Sequence, residues 1–395
     1  MKKTLLYFAI ALTVLLLGLQ VYLGFTDQVY LYKTAIYNRV GIEDYKIFSN
    51  RTIANASPQA WQKSSKYNKY ELPKNILDTL TKYQTVGYVV IHKDSLLHEQ
   101  YWEGYSDTSL SNSFSVAKSV ISLLVGIAIE EGKIKSVDES IATYLPTFNT
   151  PTKNKITIKH LLTMSSGLNW DENYGDDILS GLVSQTAKGY YYYDLPKAVS
   201  SLEPLPSEQP SGSKYRYKSG DTQLLGLVLQ AATGQKIADY ASSKIWKKIG
   251  AEQPALWSLD KAEGTEKAYC CFNSNAKDFA RIGQLVLNNG KWNGETVVPE
   301  KWLKESFTPS GLPTDENEIC DFYGYQWWLL NFDGMQLHYA RGILGQYIIT
   351  IPEKQLVIVR LGKKIAPQKH MLYKHGRPRH DFDSYINGAL YLLSK

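Results

Sequence analysis

Apolar residues follow three rhythms along the chain, and each predicts a different element. Leu5 to Gly24 is a run of twenty residues without a charge, preceded by Lys2 and Lys3. As a helix rising 1.5 Å per residue it spans about 30 Å, one hydrocarbon core. A cleaved leader has an apolar stretch of about 7–15 residues and a small-x-small cleavage site. This run is longer and ends Val21-Tyr22-Leu23-Gly24. It reads as an uncleaved membrane anchor over residues 1–26; were it cleaved, the body would be secreted. Lysines on its short amino-terminal side, and no second long apolar run, predict an extracytoplasmic body.

The second rhythm is short and β-rich. Val86 to His92 and Leu96 to Trp102 flank Lys93-Asp94-Ser95, which predicts a hairpin, and Tyr347 to Ile351 and Leu356 to Arg360 flank Pro352 to Gln355, which predicts another. The third rhythm is helical: Ile158 to Thr163, Gln223 to Ala232 before Gly234, and Ala276 to Leu287 before Gly290. Strands near both ends of the chain around a helical middle predict an α+β fold. In it an antiparallel sheet of sequence-distant strands is flanked by helices, with a helical subdomain inserted at about 135–265. Residues 27–73 lack sustained periodicity and read as a stalk that begins to wrap the catalytic domain, 74–395. A cleft between sheet and insert is the natural active site.

Composition alters this picture little. Apolar residues make up 44% and charged residues 21% of the 395, which excludes a disordered or low-complexity chain. The formal charge is +6, yet Lys363, Lys364, Lys369, Lys374, Arg377 and Arg379 supply all of it within one acid-free segment. The body is therefore balanced, which argues against nucleic acid as a partner. That segment, 363–380, reads as a solvated loop, with anionic lipid headgroups as the alternative. Adjacent Cys270 and Cys271 would point to opposite faces of a strand, so at most one could reach Cys320, and buried free thiols are expected. The seven histidines show no i,i+4 pair with acidic company, so no metal site is expected.

Serine followed three positions later by lysine brings a nucleophile and a base onto one helix face. The pattern occurs at Ser115/Lys118, Ser211/Lys214, Ser258/Lys261 and Ser274/Lys277. Context separates them. Lys118 is the only charge between Ser113 and Ile129, so it would lie in a buried helix, where desolvation favours the neutral amine that can take the proton of Ser115. Ser274 reads instead as a helix cap with Lys277 facing solvent, and Ser211 sits between Pro210 and Gly212 in a loop.

From Tyr88 to Arg360 the chain resembles the serine β-lactamase and penicillin-binding-protein superfamily, in its class C-like and esterase branch. The resemblance is carried by Ser115-Val116-Ala117-Lys118, Ile158 to Leu168, Tyr217-Lys218-Ser219-Gly220-Asp221-Thr222, Tyr323 to Trp328 and Gly342 to Gln346. Ser219, where many members have Asn, makes the second block similar to that of the 6-aminohexanoate-dimer hydrolases. The resemblance implies Tyr217 as proton relay, an oxyanion hole from the N–H groups of Ser115 and Ile343, and substrate contacts at Tyr174, Ser219 and Gly342. Gly342 would let substrate approach the strand closely. At the third block, Ala340-Arg341-Gly342, the usual cation is missing from the first position, and Arg341 would point to the other face. Ala340 thus weakens a β-lactam or D-alanyl peptide substrate. Tyr190 to Tyr193 could line the cleft, although packing explains such a run more simply.

The expected activity is serine hydrolysis of a small or linear ester or amide through an acyl-enzyme, with no cofactor. A D-alanyl peptidase or D-amino-acid amidase, and a catalytically silent envelope binding protein, are the competing expectations. Neither substrate identity nor oligomeric state is legible.

Overall fold

The computed structural model describes residues 2–37, 39–172, 185–205, 210–367, 378 and 380–395. The chain opens with α1 (Lys2–Phe25), whose side chains are exposed apart from Leu23 and whose length and composition suffice to cross a membrane. After α2 (Tyr30–Tyr37) come two short strands, β1 (Asn50–Ile53) and β2 (Gln62–Lys63), then α3 (Lys74–Lys82). The first expected hairpin is β3 (Thr85–His92) and β4 (Ser95–Tyr101), turned by Lys93 and Asp94, both at positive φ. That pairing of left-handed residues matches the right-handed twist of the strands it joins.

Short β5 (Ser111–Asn112) leads into the apolar helix α4 (Val116–Glu130). The described helices of the middle region are α5 (Ile158–Leu162), α6 (Gln185–Tyr191), α7 (Leu195–Ser200), α8 (Ser219–Thr233) and α9 (Ile237–Ala241). Gly234 closes α8 in the left-handed conformation, as its place after the last apolar turn predicts. Then come β6 (Ala255–Ser258), β7 (Phe272–Ser274), α10 (Ala276–Leu287), the small hairpin β8 (Lys291–Trp292) and β9 (Glu295–Thr296), and α11 (Glu300–Ser306). The chain returns through β10 (Trp328–Phe332), β11 (Met335–Gly342), β12 (Gln346–Ile351) and β13 (Leu356–Gly362), and ends in α12 (Asp381–Ser394).

The main sheet runs β10-β11-β12-β13-β3-β4-β2, antiparallel except for β2 on β4. β13 lies directly beside β3, Val359 opposite Val89, so the two hairpins join strands more than 250 residues apart, as the α+β reading expects. Both faces are covered. On one, Val89, Ile91, Ile348, Val357 and Val359 pack with α4 and α10; on the other, Tyr88, Val90, Ile349 and Ile358 pack with α3 and α12. Burial on both sides explains why these strands are continuously apolar rather than alternating. Each such Val or Ile contributes roughly 1.5–3 kcal/mol. A second sheet, β1-β6-β7-β5, ties residues 50–53 to the body. Its strands are two to four residues long, too short to show a period of two.

Two local expectations are corrected. Ser274 lies in β7, and Asn275 is the cap of α10, accepting from Asp278 N–H at 2.8 Å, while Lys277 pairs with Asp107 and Glu252 instead of facing solvent. Cys270 and Cys271 form a disulfide, leaving Cys320 a buried free thiol. The strand begins only at Phe272, and Cys271 has φ +68°, so the pair sits in a turn that brings adjacent side chains together.

Candidate active site

Ser115 occupies the position before the first residue of α4, with its hydroxyl at the edge of the buried helix and its side chain partly exposed. Phe114, immediately before it, has φ +45°. An L-residue in that region costs on the order of 1–3 kcal/mol and persists only where its surroundings hold it. Here the Phe114 N–H donates to Asn112 Oδ1 at 2.9 Å and the Phe114 ring is buried. The turn projects Ser115 outward while α4 runs into the core.

One turn along, Lys118 is 1% exposed. Its Nζ lies 3.1 Å from Ser115 Oγ, 3.0 Å from Ser219 Oγ and 2.9 Å from the Tyr269 carbonyl. Desolvation lowers this amine to about 8, opposed by the carboxylate of Glu172. The hydrogen-bond inventory then fixes its orientation. Ser219 Oγ donates to Glu172 Oε1 at 2.6 Å, so toward Lys118 it accepts; the Tyr269 carbonyl can only accept. A neutral amine has two N–H groups and one lone pair. In the neutral form, with both N–H groups committed, the lone pair is left for Ser115 Oγ; the protonated amine donates to that oxygen instead.

Glu172 is the residue that sequence reasoning passed over. It accepts from the Ser219 N–H at 2.7 Å, at the amino terminus of α8 where a negative charge is favoured, and from Trp170 Nε1 at 2.9 Å. Ser219, expected among the substrate contacts, is 3% exposed and lies between Lys118 and Glu172. Glu172 stands two residues from Tyr174, the residue the sequence favoured in that stretch. Tyr174 itself lies outside the described residues. Nothing local distinguishes Glu172 from the acid beside it, Asp171; only the fold brings it to Ser219.

Tyr217 precedes α8 and hydrogen-bonds through its phenol to Ser115. Its ring centroid is 5.2 Å from Lys118 Nζ. Burial, then the Glu172 charge, raises the phenol well above its ordinary value, and the Ser115 hydrogen bond and Arg341 only partly offset them. It is therefore a neutral O–H that can receive and pass on a proton. The Trp328 ring stacks against it at 5.6 Å, and the Arg341 guanidinium sits 5.2 Å from Trp328 on the opposite side of β11 from Ala340.

Gly342 has a steric reason of its own. A Cβ there would lie 2.2 Å from the Ser113 carbonyl oxygen, so its glycine is required by the packing of β11 against the turn that carries Ser115. That close approach sets Ile343, the next residue, beside the Ser115 turn. Leu344 at φ +61° and Gly345 at φ +85° then reverse the chain into β12. Gln326, within Tyr323 to Trp328, is structural: its side chain accepts from Thr222 at 2.7 Å and donates to the Leu161 and Leu162 carbonyls.

Tyr190, Tyr191 and Tyr192 are buried. Their neighbours are Phe48, Tyr37 and Tyr30 from the segment after α1. Among the described residues no group of three or more His, Cys, Asp or Glu side chains is placed to hold a metal ion. Most of the basic segment 363–380 lies outside the described residues; Lys363 pairs with Glu103 at 2.6 Å.

Known proteins share this fold. The family model described as beta-lactamase matches residues 74–373. The 6-aminohexanoate-dimer hydrolase of Paenarthrobacter ureafaciens is 25% identical over 291 residues, 70% of this chain and 72% of that one. A protein described as "putative D-alanyl-D-alanine carboxypeptidase" of Escherichia coli K12 is 30% identical over 128 residues, 31% of this chain and 28% of that one. Among solved structures, a "putative 6-aminohexanoate-dimer hydrolase from Bacillus anthracis" superposes with a TM-score of 0.71 at 20% identity, covering 89% of this chain and 92% of that one. With the family model spanning most of the chain, the protein belongs to the beta-lactamase family, hydrolases of the serine beta-lactamase fold.

Proposed function

We propose that the protein hydrolyses an ester or amide of a small or linear substrate through an acyl-enzyme on Ser115, with no cofactor. The carrying observation is the Lys118 amine, desolvated and 3.1 Å from Ser115 Oγ, where its neutral form can take the hydroxyl proton. In acylation, Lys118 takes the Ser115 proton as Oγ bonds to the substrate carbonyl carbon. The N–H groups of Ser115 and Ile343 stabilise the oxyanion. When the tetrahedral intermediate collapses, the bond to the leaving group breaks, and the proton returns from Lys118 through Tyr217 to that group. Water then attacks the acyl carbon, passing one proton through Tyr217 to Lys118; the bond from the acyl carbon to Ser115 Oγ breaks, and Lys118 returns that proton to Oγ. Ser219 and Glu172 hold Lys118 in place, while the strand end at Gly342 borders the substrate.

The resemblance to an amide hydrolase over 70% of the chain supports the linear substrate class, and Ala340 in place of a cation disfavours a D-alanyl peptide or β-lactam. The apolar α1 supports a membrane-anchored enzyme with its body outside the cytoplasm. The test is pre-steady-state hydrolysis of p-nitrophenyl acetate and butyrate by the full chain in detergent micelles. A burst equal to the enzyme concentration, absent in Ser115→Ala, is expected. A folded protein with no burst that is stably labelled by a fluorescent penicillin would favour the peptidase reading instead, and one with neither would favour a silent binding protein.

A further inference from the structure

The segment between α1 and β1 reaches the nucleophile turn through an unbroken chain of hydrogen bonds. Asp44 Oδ2 accepts from Gly41 N–H at 2.9 Å and from the Tyr190 hydroxyl at 2.8 Å. The same hydroxyl accepts from Asn112 Nδ2 at 3.1 Å. Asn112 Oδ1 in turn accepts from the Phe114 N–H, and Phe114 is the left-handed residue that aims Ser115. A second link runs in parallel, from the Asn112 N–H to the Ile42 carbonyl at 2.7 Å. Each group is used in the only sense open to it: the carboxylate accepts, the hydroxyl donates once and accepts once, and the amide spans both.

The tyrosine run gives this chain its footing. Tyr190 meets Phe48 edge to face at 5.2 Å, Tyr191 stacks on Tyr37 at 6.2 Å, and Tyr192 meets Tyr30 at 6.2 Å. Residues 30–48 are thereby fastened to α6, and α6 to β5.

We propose that Asp44 is a positioning residue: acting through Tyr190 and Asn112, it holds the Phe114–Ser115 backbone in its reactive conformation, so the segment following α1 sets the acylation rate. The proposal rests on Ser115 being the nucleophile. Its chemistry distinguishes a hydrogen-bond acceptor from mere bulk or charge, because both bonds to Asp44 end on one oxygen. An asparagine carbonyl can take both; an alanine can take neither.

The experiment compares the full chain in detergent micelles with Tyr190→Phe, Asp44→Ala and Asp44→Asn. Two readouts are taken: the burst rate constant with p-nitrophenyl butyrate, and hydrogen–deuterium exchange of a peptide covering residues 111–120. Tyr190→Phe and Asp44→Ala are expected to slow acylation about tenfold with full burst amplitude, since a small displacement of a reacting group carries a cost of that order. Exchange at the Phe114 amide should quicken in both variants, and Asp44→Asn should restore both readouts. Acylation or exchange unchanged in Tyr190→Phe overturns the proposal, as does Asp44→Asn behaving like Asp44→Ala. If the parent shows no Ser115-dependent burst, the functional reading fails on its own, and exchange in Tyr190→Phe still decides whether the chain holds the turn.

Discussion

Among the buried lysines of this protein, Lys118 and Lys267 are not alike. Lys118 and Lys267 are 1% and 0% exposed, and burial lowers their amines to about 8 and about 7. Among the described residues no carboxylate oxygen lies within ion-pair distance of either. Yet Lys118 faces Ser115, Ser219 and one carbonyl, whereas Lys267 donates to the Tyr190 carbonyl at 2.8 Å and otherwise meets the faces of Phe48 and Tyr190. Desolvation favours the neutral amine in both places. A base also needs a hydroxyl within reach, and of the two only Lys118 has one, that of the partly exposed Ser115.

The most direct way to break this comparison is to remove each amine in turn. Lys118→Met should lower the burst rate constant roughly 10³-fold, and Lys267→Met should leave it within about threefold, general base catalysis being worth 10²–10⁴. Stopped-flow acylation of both variants in micelles checks it. Comparable losses would mean that Lys267 acts on the same site and that burial, not the hydroxyl, defines the base.

A subtler change sharpens it. Glu172 is the second influence on Lys118 and raises its amine against desolvation. The base works when neutral, so acylation should rise with pH through about 8 and level off above. Glu172→Gln removes the charge while keeping an oxygen for Ser219. The amine then holds its proton less tightly, and the midpoint of the pH–rate profile should move below that of the parent. A midpoint that stays put or moves up would show that Glu172 does not bear on Lys118 as the geometry implies.

How much of this was legible in the sequence differs between the site's parts. Ser115 and Lys118 were, because three residues on one helix fix their separation and a lone charge in an apolar helix needs a chemical reason. Tyr217 was visible only through its motif, one tyrosine among 29. Glu172, Asp44 and Asn112 were not, since each acts across 47 to 146 residues of chain, through distances no periodicity encodes. The main sheet was legible from its long apolar strands, whereas the four-stranded sheet, built of very short strands, was not. The disulfide escaped for a related reason: its turn depends on a positive φ at Cys271, where a strand was the simpler reading of the neighbouring residues.

Lys267 leaves a mark on stability rather than on rate. Its neighbours are Asp260, which raises the amine, and Lys33 of α2, which lowers it, with desolvation the largest influence. Its folded value, about 7, lies below the ordinary 10.5 of the unfolded chain. Below about 7 both states hold the proton, and the full penalty of a buried charge is present. Between about 7 and 10.5 the unfolded chain holds a proton that the folded one has released, so stability rises with pH. Lys267→Met abolishes that contribution. Lys118 and the buried tyrosines are common to parent and variant, so their effects cancel in the difference. Thermal or urea unfolding from pH 7 to 9 should show the parent gaining roughly 2 kcal/mol more than Lys267→Met, at about 1.4 kcal/mol per pH unit for one proton. Parallel pH profiles would mean that Lys267 keeps its proton in the folded protein, and with it that burial beside aromatic faces is not enough to discharge a lysine.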